Sequence, residues 1–249
     1  MSPQRLISVV PSQTELLFDL GLDDTIVGVT RFCIHPADRV RNKPIVGGTK
    51  TLNLNRIHDL QPDLILANKE ENTRTQIEAL QQQYRVHVTD MATIPEALSM
   101  IREVGTLVGR SRQAESIITR ITNSLPAFPS DSASPSVAYL IWRKPYMVAA
   151  GGTFIDAMLT AAGFRNAFAH QRRYPELDPD ALRAAHPDLI FLSSEPYPFS
   201  EKHRGEFQAL CPAARVVIVD GEIFSWYGSR LLQAGDYFKN LRNQLDYYP

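Results

Sequence analysis

The 249-residue chain has two cysteines, Cys33 and Cys211. A lone pair so far apart in sequence gives neither a disulfide framework nor the clustered spacing of a structural zinc site. No apolar run approaches the roughly 18–20 residues that a membrane-spanning helix needs. Charge is nearly balanced, with 26 basic and 27 acidic side chains. That excludes the bulk basicity that draws a protein to nucleic acid or to an anionic membrane surface. Phosphate and dinucleotide fingerprints are missing: there is no P-loop and no G-x-G-x-x-G. Gly228-Ser229-Arg230 falls short of the G-x-S-x-G nucleophile elbow. The segment Met1–Arg5 runs straight into apolar residues, without the apolar core of about 7–15 residues or the small-residue cleavage site of a secretory signal. A chain that begins natively at Met1 is therefore expected in the cytoplasm.

What the chain does hold is a phrase used twice. Leu60-Gln61-Pro62-Asp63-Leu64-Ile65-Leu66-Ala67-Asn68-Lys69-Glu70 is echoed by Ala185-His186-Pro187-Asp188-Leu189-Ile190-Phe191-Leu192-Ser193-Ser194-Glu195. Each copy ends a short helical stretch at a proline, which cannot continue a helix. A four-residue apolar run follows, the pattern of a strand buried on both faces of a parallel sheet. A polar pair then sits at the strand's C-terminal end, where open α/β sheets bind ligands. Two copies predict an α/β fold of two similar Rossmann-like lobes with parallel sheets and a ligand cleft between the lobes.

In order, the chain reads as strand Leu6–Val10, a helix with a Ser12/Glu15 capping box ending at Gly21, and strand Thr25–Val29. Two loops, 30–36 and 46–50, precede a short helix begun by Asn53. Helices are predicted over 72–82, 94–108 and 111–125. The stretch 126–135, rich in Pro and Ser, is the strongest linker signal. The expected domains are an N-terminal α/β lobe over 1–110, a helix and linker over 111–135, and a C-terminal α/β lobe over 136–249. In the second lobe, loops are expected at 142–146, 171–176 and 220–230, with an extended Glu195–Phe199.

The loops at the predicted strand ends share a composition. They carry Arg31, Phe32, Lys50, Trp142, Arg143, Arg173, Tyr174, Trp226 and Tyr227, and so both tryptophans of the chain. Aromatic faces beside guanidinium and ammonium groups suit a flat, bulky ligand with anionic substituents. Cys33 and His35 carry metal-ligand chemistry, with His170, Glu195 or Glu222 as a third donor. Two function classes stay open on the residues alone. One is a binding protein. The other is a cytoplasmic enzyme or metallochaperone handling a cofactor or metal, with Cys33, His35 and Glu195 as working groups.

Four segments carry a resemblance: Ser8–Leu16, Gly28–Thr30, Asn53–Ile57 and Leu60–Ile65. Through them the chain resembles the helical-backbone (class III) substrate-binding proteins of cobalamin and ferric-siderophore ABC importers, nearest to their vitamin B12-binding type. The resemblance implies two α/β lobes joined by one long backbone helix, fitting 111–125, and no catalytic cofactor. A corrinoid, haem-like or ferric-siderophore ligand would be carried to an ABC permease by a periplasmic monomer. It puts Phe32, Tyr174 and Glu222 beside the ligand, and Thr49 and Asn68 where relatives have tryptophans. It also puts permease docking at Asp180 and, with the charge replaced, at Asn55.

Overall fold

The computed structural model describes residues 2–126, 128–129 and 133–246 of the chain. It divides into two compact units. Unit 1 holds residues 1–91, 95–122 and 227–232, and unit 2 holds 92–94, 123–226 and 233–249. Of the expected linker, Ala127 and residues 130–132 lie outside the described residues. Among the described residues no helix is long and apolar enough to cross a membrane.

Unit 1 is built from β1 (Leu6–Ser8), α1 (Pro11–Asp19), β2 (Ile26–Val29), α2 (Ala37–Val40), β3 (Gly47–Gly48), β4 (Thr51–Leu52), α3 (Leu54–Asp59), β5 (Leu64–Asn68), α4 (Arg74–Gln81), β6 (Val86–Thr89), α5 (Ile94–Leu107) and α6 (Ser111–Ser124), the last two ending or starting in unit 2. Its sheet runs β2-β1-β5-β6, all parallel. Every residue of β5 is buried. Ile7, Val9, Ile57, Ile65, Ala67, Ile77 and Leu80 form one apolar cluster around it. Gly109 takes a positive φ of 70°, which separates α5 from α6 rather than letting them fuse.

The expected capping box at Ser12 is not formed. Helix α1 begins at Pro11, its N-cap is Val10, and no side chain caps it. Proline at the first helical position has no N–H to satisfy. Glu15 is thereby released from capping and turns into the interior.

Unit 2 continues with β7 (Ser136–Trp142), β8 (Tyr146–Val148), α7 (Phe154–Ala161), β9 (Arg165–Asn166), β10 (Glu176–Leu177), α8 (Pro179–Ala184), β11 (Leu189–Ser193), a single 3-10 turn (Glu201–His203), α9 (Arg204–Leu210), β12 (Arg215–Val219), α10 (Gly221–Ser225) and α11 (Leu231–Asp246). Its sheet runs β10-β8-β7-β11-β12, with β9 also paired to β7. β7, β11 and β12 are parallel, but β8 is antiparallel to both β7 and β10. The 142–146 stretch is therefore the turn of a hairpin, which the parallel-sheet expectation did not include. β11, like β5, is buried throughout.

The repeated phrase has one physical meaning in both units. α3 and α8 are each capped by the residue before them: Asn53 accepts from Arg56 N at 3.0 Å and Asp178 from Ala181 N at 2.7 Å. Each helix ends into a positive-φ residue, Gln61 or His186. The aspartate of each Pro-Asp then caps the sheet's first strand. Asp63 accepts from Gln4 N and Arg5 N at 2.7 and 3.2 Å, and Asp188 accepts from Ser136 N at 2.7 Å and Ser136 Oγ at 2.8 Å. These hydrogen bonds hold the Asp188 carboxyl below the usual carboxylate range.

Candidate ligand-binding residues

In unit 1 the chain leaving the C-terminal end of β2 carries Thr30, Arg31, Phe32 and Cys33. Arg31 N donates to the Gly47 carbonyl at 2.9 Å and Val46 N to the Val29 carbonyl at 2.8 Å. The loop is thus stitched to the β3–β4 hairpin. Glycine at 48 keeps that approach open: a Cβ there would lie 3.2 Å from Phe32 Cε2 and 3.6 Å from Arg31 Nε. Phe32 stays 53% exposed, so its ring is presented rather than packed. Lys50, in the hairpin turn, donates to the Glu70 carbonyl. Arg31, Phe32 and Lys50 are therefore gathered around one hairpin, where the sequence offered two separate loops.

Cys33 turns the other way. Its thiol is buried, 3.1 Å from Thr14 Oγ1 and 3.2 Å from Thr30 Oγ1. Burial pushes it up despite those hydroxyls. A thiol kept protonated in the core is the opposite of a reactive one. Among the described residues no group of three His, Cys, Asp or Glu side chains could hold a metal ion. Among the described residues the Cys33–His35 pair thus gains no third ligand, and the buried thiol does not fit the role of an exposed nucleophile. Thr49 and Asn68 are also buried. Asn68 Nδ2 donates to the Thr89 carbonyl at 3.0 Å, and its Oδ1 accepts from Glu70 N and Glu71 N at 2.8 and 3.1 Å. That spends its polar atoms on shaping the turn after β5.

In unit 2 the β7–β8 turn presents Trp142, 39% exposed. Its indole N–H donates to the Lys144 carbonyl at 3.1 Å, and its ring meets Tyr197 edge-on at 5.6 Å. Arg143 closes on Glu206 Oε2 through Nε at 2.9 Å and an Nη at 2.7 Å, while Tyr146 donates to Oε1 at 2.7 Å. Partial burial resists ionisation of Glu206, but the hydrogen bonds from Arg143 and Tyr146 outweigh it and hold the carboxyl low. Burial and the same carboxylate push the Tyr146 phenol up to about 12. The sequence showed no sign of Glu206, which lies far along the chain on α9 and has no recognisable spacing to residue 143.

Arg173 and Tyr174 do not follow a parallel strand. Arg173, at φ 63°, accepts from Ala150 N at 2.8 Å and donates to the Gly151 carbonyl at 3.0 Å. Val148 N donates to the Pro175 carbonyl at 3.3 Å, so the β8–β10 ladder carries these residues along the edge, away from the Trp142 turn.

The ends of β11 and β12 hold Glu195 and Glu222. Glu195 Oε1 accepts from Ser225 Oγ at 2.7 Å and from Trp226 Nε1 at 2.8 Å. Burial pushes Glu195 up, and the nearby Glu222 and Asp220 add to this against the two donors. Gly221 is essential to the arrangement, since a Cβ there would sit 2.6 Å from Glu195 Cγ. Trp226 is 7% exposed, a buried ring with a fixed indole instead of a loop-tip one. Tyr227, equally buried, belongs to unit 1. There the segment 227–232 is pinned by Arg230, whose Nε lies 3.0 Å from Glu15 Oε2 and whose Nη lies 2.8 Å from Oε1. Nothing in the sequence signalled this pair, because its members are more than two hundred residues apart. Asn55 and Asp180 occupy the same second position of α3 and α8, and Asp180 closes on Arg183.

A parallel β-α unit occurs twice, with exposed rings and cations at the strand ends, the arrangement in which open α/β sheets take ligands. The periplasmic binding protein family matches residues 6–209, and the chain belongs to that family. The vitamin B12-binding protein of Pectobacterium carotovorum is 24% identical over 239 residues, spanning 93% of this chain and 86% of that protein. Among solved structures, the periplasmic heme-binding protein BhuT in complex with two hemes aligns with a TM-score of 0.82 at 25% identity, covering 98% of both chains. The vitamin B12-binding protein BtuF of Vibrio cholerae aligns with a TM-score of 0.79 at 22% identity, covering 97% of this chain and 99% of that one.

Proposed function

We propose that the chain is the substrate-binding component of an ABC importer, carrying a corrinoid, haem-like or ferric-siderophore ligand outside the cytoplasmic membrane. It binds and delivers, and does not catalyse. The observation that carries this reading is a matched pair of presented rings. Of the large apolar side chains described, four are exposed: Phe32, Ile34, Val88 and Trp142. Phe32 stands beside Arg31 and Trp142 beside Arg143. Each pair follows the C-terminal end of a parallel strand, where open α/β sheets take their ligands. Rings with neighbouring guanidinium groups suit a flat ligand with acidic edges. Relatives named for vitamin B12 and heme support that ligand class.

In this reading the exposed rings of Phe32 and Trp142 and the half-buried ring of Tyr174 pack on the ligand, while Trp226 and Tyr227 stay buried beneath their own surfaces. Arg31, Lys50 and Arg173 pair with its acidic groups. Arg143 has a prior commitment to Glu206, so it acts first as the brace of the Trp142 turn. Glu222 lies at the polar margin, and Glu195 sets the indole of Trp226. Docking on the permease uses the α3 and α8 faces, with Asp180 on one and the uncharged Asn55 on the other.

The test is tryptophan fluorescence during titration with hemin, cyanocobalamin and a ferric siderophore. Saturable quenching by one class at micromolar or lower concentration is the expected result. Flat titrations with all three would overturn the reading.

A further inference from the structure

Unit 1 contains a second feature, which shares Arg31 with the proposed ligand contacts and Asn55 with the proposed docking face but is otherwise separate from them. A cavity of about 610 Å³ is lined by Arg31, Thr51, Asn53, Asn55 and Arg56, with Ile45, Gly47, Leu52 and Leu54 as its apolar and backbone walls. No carboxylate lines it, so its formal charge is +2. Elsewhere Arg39, Arg74, Arg102 and Arg204 each close on an acidic side chain. Among the described residues the guanidinium groups of Arg31 and Arg56 have no such partner. Both are exposed, and no fold-holding contact would be lost if they took a ligand.

The walls are built, not incidental. Arg31 N is held by the Gly47 carbonyl at 2.9 Å, and Asn53 N by the Val46 carbonyl at 2.8 Å. Asn53 Oδ1 caps Arg56 N at 3.0 Å, which fixes where Arg56 leaves α3. Gln76 clamps Leu52 from both sides, donating to its carbonyl at 3.1 Å and accepting from its N–H at 3.0 Å. Gly47 has φ 113°, and a Cβ there would meet Asn53 N at 2.9 Å and collide with the Thr51 carbonyl. No other residue fits that turn. The backbones carrying both arginines are therefore positioned before any ligand arrives.

We propose that this cavity is an oxyanion site, taking a carboxylate or phosphate group between Arg31 and Arg56. The planar guanidinium fork matches both groups bidentately. The Asn55 amide and Thr51 hydroxyl supply further donors, and the apolar wall of Ile45 and Leu54 accepts a short carbon chain. The group can come from a free small anion or from an acidic side chain of a protein that meets α3. The shared chemistry is the same.

The inference goes beyond the proposed carrier function, and its test separates the two. Amide spectra of the isotope-labelled protein are followed while inorganic phosphate, and separately succinate, is added at constant ionic strength, with chloride as control. Saturable shifts at Arg31, Asn53, Asn55 and Arg56 are expected, and Arg56→Ala should weaken them about tenfold, since one of two charge-assisted contacts is lost. Shifts absent with phosphate, succinate and a glutamate-bearing peptide alike, equal shifts with chloride, or shifts unchanged in Arg56→Ala would each overturn the site. Saturation by free phosphate and succinate points to a small-anion source. Saturation by a glutamate-bearing peptide alone points to a protein one. Because Arg56 is outside the proposed carrier contacts, the fluorescence titration should be unchanged in Arg56→Ala. If that titration is flat in the unaltered protein while the phosphate shifts persist, the carrier reading falls and this one stands.

Discussion

The two units use the same device to begin a sheet and different devices to end it. In both, a six-residue helix capped by Asn53 or Asp178 leads through a positive-φ residue into Pro-Asp. The aspartate then fastens the edge of the first strand. At the other end of the strands they part. Unit 1 buries neutral groups at its ends, among them Thr14, Thr30, Cys33, Asn68 and Thr89, with an exposed Lys69–Asp90 ion pair beyond β5 and β6, and leaves Arg31 and Phe32 outside. Unit 2 closes its ends with ionised or ionisable pairs: Arg143 with Glu206, and Glu195 with Trp226 and Ser225. A strand start has one backbone problem to solve, so the solution repeats. A strand end faces a ligand or solvent, and its chemistry is free to diverge.

The largest expected effect breaks a buried charge pair of unit 1. The Glu15 and Arg230 side chains are 11% and 8% exposed. Removing one partner strands the other in the interior, so Arg230→Met should cost about 3–5 kcal/mol in urea unfolding. Glu15→Met combined with Arg230→Met should recover most of that loss. A small effect of the single variant would show that the 227–232 segment is held by its apolar contacts alone.

Next comes the ring comparison. Phe32→Ala and Trp142→Ala should each weaken ligand binding by about 3- to 10-fold, following the roughly 0.5–1.5 kcal/mol of an aromatic stack. Equal losses would support ring-for-ring equivalence of the units. A loss confined to one variant would make that unit the dominant surface.

The strand-start device is tested by Asp63→Ala and Asp188→Ala. Both aspartates are solvent-exposed, so each change should cost about 1 kcal/mol, the low end for hydrogen bonds to a charged group. The Asp188 carboxyl is held low in the folded chain. Its contribution is present above the unfolded-state value near 4 and is lost as pH falls through the folded one. Asp188→Asn should therefore flatten the acid limb of the stability curve. Unequal losses at neutral pH would show that the repeat is one of sequence more than of energetics.

The smallest effect concerns Glu195, which is pushed up by burial. Its raised value favours the folded state below the unfolded carboxylate range, an advantage lost as pH rises through the folded value. The same protonation loosens the acceptor of the Trp226 indole. In a Trp142→Phe background, Trp226 emission should step with pH above the ordinary glutamate range, and Glu195→Gln should remove the step. Emission that titrates identically in both proteins would sink the assignment.

Much of this was legible in the chain. The Pro-Asp phrase, the capping residues Asn53 and Asp178, the break at Gly109 and the buried runs of β5 and β11 are local rules, and they hold. The exposed Phe32 and Trp142 were legible too, because rings beside arginines in turn-rich segments are poor core material. The antiparallel β8 and β10 were missed, since strands of two or three residues carry no readable period. Ser12 was misread because Pro11 claimed the first helical position.

The two α/β units follow from local order in the chain, because helix breaks, caps and buried runs are set by neighbours a few residues away. Which polar groups were already engaged depended on the fold. It gave Glu206 to Arg143, Trp226 to Glu195 and Glu15 to Arg230, and among the described residues it left Arg31 and Arg56 without a carboxylate. Pairing between distant residues depends on where folding brings them, and the spacing of letters does not record that.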